Sequence, residues 1–161
     1  MTLKSELGMK KGFENPSHEA LLNIYYTAAR VKKKAGEFFR GFGLTDVQYN
    51  VLTLLRRQSG DNGGLAQVEL SRMMLVNRAN ITTLIDRMEK ANLVARRSAP
   101  SDRRYNIIEL TPHGLKKHTE VSGAYKRKVS EIMGAIDEVE SKLLVDILEK
   151  VRSNLDLVGG D

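Results

Sequence analysis

Apolar positions along this chain of 161 residues recur mostly at spacings of three and four, which places them on single faces of helices. From Ser17 to about Phe42 the recurring set is Leu21, Ile24, Ala28, Val31, Ala35, Phe38 and Phe42. That heptad-like seam calls for a partner along its whole length. Ser17 is its candidate cap, and Gly41 and Gly43 mark its end. Thr45 caps a second predicted helix, with Asp46 in its first turn and Val47, Val51, Leu54 and Leu55 turned inward. A third, short helix at 68–75 packs Leu70, Met73 and Met74 inward. After a turn at Val76 and Asn77, residues 77–91 carry Ile81, Leu84, Ile85 and Met88 on one face, with Asn77 as cap. Thr111 and Pro112 open a long helix with Leu115, Val121, Tyr125, Val129, Ile132, Met133 and Ile136 on its apolar side. Asp137 caps a last one with Val139, Leu143, Leu144, Ile147, Leu148, Val151 and Leu155.

Two stretches depart from the helical period. Residues 93–97 and 105–110 are rich in β-branched and aromatic side chains and read as strands of a hairpin. The turn between them, 98–104, contains Pro, Ser and Asp. Leu65 and Ala66 offer a short third strand. Gly8, Gly12 and Pro16 predict a loosely ordered start, and 59–64 reads as a flexible connection. The expected fold is therefore mainly α with a small β-sheet, in one domain spanning 1–161. The pair of helices around Val76 and Asn77 is a helix-turn-helix.

Charge sharpens this picture. Between Arg78 and Arg104 seven basic residues face three acids, a net +4 out of the formal +6 of the whole chain. Residues 131–161 hold eight acids and three bases, so that end is a poor surface for nucleic acid. The basic run Arg30, Lys32, Lys33 and Lys34 reads as a solvated face. The absence of Cys excludes disulfides and thiolate metal sites. His113 and His118, five apart with no carboxylate motif, read as surface histidines rather than metal ligands. With three His and no nucleophile–base set, no catalytic residue is expected. No apolar run reaches the roughly 20 residues of a membrane span, and no leader is visible, so a cytoplasmic location is expected.

Residues 85–96 (Ile-Asp-Arg-Met-Glu-Lys-Ala-Asn-Leu-Val-Ala-Arg), then Asp102-Arg103-Arg104, then Leu110-Thr111-Pro112-His113-Gly114, resemble the MarR family of bacterial winged helix-turn-helix regulators. The usual family glycine before Leu-Val is Asn92 here, the next-best residue at a left-handed helix end. The resemblance implies a winged helix-turn-helix DNA-binding lobe at 45–111, and dimerisation helices at 17–44 and 112–157. It implies a homodimeric, ligand-responsive repressor in the cytoplasm. Its partner would be double-stranded DNA with a pseudo-palindromic operator. No cofactor is expected beyond a small aromatic or phenolic effector, near which Tyr49 is a candidate contact.

The helix at 77–91 then enters the major groove and the wing at 93–110 the adjacent minor groove. Its outward residues are slim, as a groove requires. Arg78 suits guanine, Asn80 adenine, and the Thr82 and Thr83 methyls thymine, while Ala79 permits close approach. Arg87 suits phosphate. Arg96 and Arg97 belong to the same basic, DNA-binding surface. By the family resemblance Asp102 braces Arg104, and Arg103 or Arg104 enters the minor groove, whose A·T-rich narrow form attracts arginine. The competing class is a winged-helix protein–protein interaction module without specific DNA binding.

Overall fold

The computed structural model describes residues 2–59, 63–74, 78–98 and 106–158. Its first helix, α1 (Leu3–Glu6), lies where a loose start was expected. Thr2 and Ser5 form a capping box, Leu3 is buried, and Glu6 pairs with Arg30 at 2.6 Å. A single turn is stable here because tertiary contacts hold it, not propensity. The long helix α2 (Pro16–Arg40) starts at the proline counted among the breakers of the segment before it. Pro at a first helical position forfeits no hydrogen bond. Asn15, not Ser17, is the cap, its side chain accepting from the Ser17 N–H at 2.8 Å.

Thr45 caps α3 (Asp46–Gln58) as expected, in a reciprocal box with Gln48 at 3.1 and 2.8 Å. Tyr49, Val51, Leu52 and Leu55 are its buried residues, while Val47 and Leu54 are half-buried. Then follow β1 (Leu65–Ala66), α4 (Gln67–Met73), α5 (Arg78–Lys90), β2 (Val94–Ser98), β3 (Asn106–Leu110), α6 (Pro112–Met133) and α7 (Glu138–Val158). The three strands form an antiparallel sheet in the order β1-β3-β2. Leu65 and Arg96 both pair with Ile108, so the short strand completes the sheet as expected. The hairpin is described as far as the Ser98–Asn106 pair; the predicted turn beyond it, the turn at Val76 and Asn77 and residues 60–62 of the 59–64 connection lie outside the described residues.

The chain divides into two compact units, Met1–His118 and Thr119–Asp161. The core of the first is built from Phe39, Leu52, Leu55, Leu70, Ile81, Ile85, Met88, Val94 and Ile108. In the second, Asp137 caps α7 as expected, exchanging 2.8 Å hydrogen bonds with Glu140. No residue of α7 is buried. No helix among the described residues is long and apolar enough to cross a membrane.

Candidate nucleic-acid interface

Burial of one face sets which residues α5 presents on the other. Ile81, Ile85 and Met88 are fully buried and Leu84 half-buried. Each such side chain contributes about 1.5–3 kcal/mol by leaving water, so rotating the helix about its axis is strongly opposed. Ala79, Asn80, Thr82, Thr83 and Arg87 are consequently exposed. These are five of the residues expected to meet DNA. Thr83 donates its hydroxyl back to the Ala79 carbonyl at 3.2 Å. Arg78 opens α5, but its side chain lies outside the described residues, as do Asp102, Arg103 and Arg104 entirely.

The end of α5 is built by the residues that carry the family resemblance. Asn92 adopts φ 54°, the left-handed region. The Asn92 N–H donates to the Glu89 carbonyl and the Leu93 N–H to the Met88 carbonyl, both at 2.9 Å. This pairing closes the helix and turns the chain into β2. Asn thus fills the place of the family glycine at small conformational cost. The same corner receives α6. The Thr111 hydroxyl donates to the Asn92 carbonyl at 2.5 Å and accepts from the Gly114 N–H at 2.9 Å. A Cβ at Gly114 would overlap the Leu93 carbonyl, so only glycine lets α6 approach the wing base this closely.

Two of the expected DNA contacts also make ion pairs within the lobe. Arg96, one-fifth exposed, is held by two carboxylates of α5: Asp86 at 2.5 Å and Glu89 at 2.6 Å. Its charge is therefore compensated within the lobe, by two acids already counted in the net +4 of this segment. Arg97 pairs with Glu109 across the hairpin at 3.1 Å. Gln67, which the sequence reading passed over, donates from Nε2 to the Thr82 hydroxyl oxygen at 2.8 Å. Its signal was slight: a Gln one residue ahead of the expected helix start. Only the crossing of α4 and α5 reveals its neighbour.

Tyr49 is almost fully buried. Its ring stacks between Phe39, at 4.8 Å between centroids, and His118, at 5.5 Å and 8° from parallel. His118, expected at the surface, is half-buried for this reason, whereas His113 is exposed. Burial, and then the charges of Arg56 and Arg57, hold the His118 pKa below its ordinary value, so the imidazole is neutral near pH 7.

The MarR family profile matches residues 42–104, from just after α2 through α5 to the hairpin. The HTH-type transcriptional regulator PrsX of Escherichia coli is 30% identical over 127 residues, covering 79% of this chain and 75% of that protein. Among solved structures, AbsC, a MarR family transcriptional regulator from Streptomyces coelicolor, superposes with a TM-score of 0.79 at 22% identity, over 91% of this chain and 99% of that one. The S. aureus MepR structure, solved as a complex with DNA, has a TM-score of 0.73 at 22% identity, over 82% and 94% of the two chains. At that identity the two structures speak for the fold, and the profile and PrsX for the family. The protein is thus a member of the MarR family of transcriptional regulators, which bind DNA and are not enzymes.

Proposed function

We propose that the protein is a homodimeric, ligand-responsive repressor acting in the cytoplasm. It reads a pseudo-palindromic operator in double-stranded DNA, with α5 in the major groove and the hairpin in the adjacent minor groove. The observation that carries this reading is the outward face of α5: Ala79, Asn80, Thr82, Thr83 and Arg87 are exposed over a fully buried apolar face. In this reading Asn80 bonds adenine and Arg78 guanine, the Thr82 and Thr83 methyls touch thymine, and Arg87 grips phosphate. At the wing tip Asp102 braces Arg104, and Arg103 or Arg104 enters the minor groove.

The dimer is supported by two uncovered seams, each considered in its own unit. Leu21, Ala28 and Val31 on α2 are exposed, and α7 buries nothing. Two copies read two half-sites about one helical turn apart. The effector is a small aromatic or phenolic molecule that favours one conformer of the dimer and so changes DNA affinity. Tyr49 contacts it only if the stack with Phe39 and His118 opens, because the ring is otherwise covered.

Selection of duplexes from a random pool, followed by shift assays across a salt series, tests this reading. The expected result is a palindromic motif and a steep fall of affinity with salt. Asn80→Ala is expected to relax one position of each half-site by about 1–3 kcal/mol. A flat salt response with no enriched motif would overturn the reading in favour of a protein-binding winged helix.

A further inference from the structure

Resting on the DNA-reading role proposed above, the geometry points to Arg96 and Gln67 as positioning residues. They set the pose of the reading helix without touching DNA. Arg96 projects from β2 onto a single stripe of α5. Its Nη2 donates to Asp86 Oδ1 at 2.5 Å and, more distantly, to the Thr82 carbonyl at 3.5 Å. Its Nη1 donates to Glu89 Oε2 at 2.6 Å, and its backbone N–H to Glu89 Oε1 at 3.2 Å. Residues 82, 86 and 89 stand at i, i+4 and i+7, so one guanidinium spans successive turns of the same face. From α4, Gln67 Nε2 donates to the Thr82 hydroxyl oxygen at 2.8 Å. The turn containing Thr82 is thereby tied to the hairpin and to the preceding helix at once.

The two kinds of contact divide the work. Burial of Ile81, Ile85 and Met88 decides which face of α5 looks outward. Apolar packing is non-directional, so it leaves small slides and tilts cheap. Charge-assisted, forked hydrogen bonds are directional and restrict them. Reading bases in one groove while a wing occupies the next needs a fixed offset between helix and hairpin, held to about half an ångström. Nor is Arg96 suited to hold phosphate, since with Asp86 and Glu89 it forms a group of net charge −1.

The test uses the full chain with the duplex selected by the wild type and a scrambled duplex of equal length. Variants are Asp86→Asn, Glu89→Gln, Gln67→Ala, Arg96→Lys and Arg96→Met. Removing a carboxylate beside DNA strengthens binding to both duplexes by electrostatics alone. The positioning role instead lowers the ratio of selected to scrambled affinity about ten-fold in Asp86→Asn and Glu89→Gln, the size of one lost base contact. Gln67→Ala, which changes no charge, lowers the ratio too. Arg96→Lys keeps the charge without the fork and falls between the wild type and Arg96→Met. An unchanged ratio in Asp86→Asn, Glu89→Gln and Gln67→Ala overturns the inference; these side chains lie outside the core, so folding can be verified by their melting curves. So does an Arg96→Met protein with its ratio intact and its salt slope shallower by about one, which makes Arg96 a phosphate contact. A wild type that fails to discriminate the two duplexes sinks the DNA-reading role itself, a result distinct from either.

Discussion

Helices α5 and α7 carry apolar residues at the same helical spacings, and the two meet opposite fates. In α5, Ile81, Ile85 and Met88 are wholly covered. In α7, Leu143 is 57% exposed, Ile147 47% and Leu155 60%. Periodicity decides which residues share a face; it is silent about whether the same chain supplies a cover. α5 is flanked by α4 and by the hairpin that follows it, so its stripe is closed by sequence neighbours. The seam of α7 awaits a surface, which in the function proposed above is a second copy.

The sharpest way to break this comparison is a pair of charges in the uncovered seam. Leu143→Glu with Ile147→Glu is expected to cost the dimer several kcal/mol, a roughly thousand-fold or greater weakening, because two acids per copy meet their like across the two-fold. Sedimentation at micromolar protein checks it; an unaltered oligomer would mean that α7 is covered by something else. Next in size is the covered helix. Ile85→Ala is expected to destabilise the fold by about 2–5 kcal/mol, measured by denaturant unfolding, since a fully buried side chain leaves a cavity. A loss below 1 kcal/mol would mean that the face repacks freely, and the outward setting of α5 would lose its basis.

The smallest effect concerns the ring stack. The folded state resists protonation of His118 more than the unfolded chain does. As pH falls below about 6.5, the unfolded state gains a proton first, so stability declines toward the lower folded pKa and is constant with respect to this group above that window. His118→Phe keeps a ring against Tyr49 and removes the titration. Its melting temperature should vary less between about pH 7 and pH 5 than that of the wild type. Parallel curves would mean that His118 contributes nothing to the acid sensitivity.

Much of the site was legible in the chain before folding. Ala79, Thr82 and Thr83 followed as the outward face from 100° steps, with Asn80 and Arg87 on its flank, once Ile81, Leu84, Ile85 and Met88 were recognised as one face; Asp86, placed on the same outward face, is half-buried under Arg96. The caps at Thr45 and Asp137 were equally readable, because a cap acts within three residues of itself. Pro16 was read only as the end of the loose start, but a proline at a first helical position also opens a helix, and Asn15 caps it here. The one-turn helix α1 escaped because its support comes from Arg30, far along the chain. Arg96 was counted with the basic surface, since its two carboxylates stand ten and seven residues earlier on another element.

By itself the sequence determined the order of elements from α2 onward, the faces of the helices and the family, because each rests on local spacing and local backbone chemistry. Tertiary structure alone decided which charges are spent internally, which ring covers Tyr49, and which seams stay open. Those depend on the approach of segments distant in the chain, where a side chain's partner is set by packing geometry rather than by its neighbours in sequence.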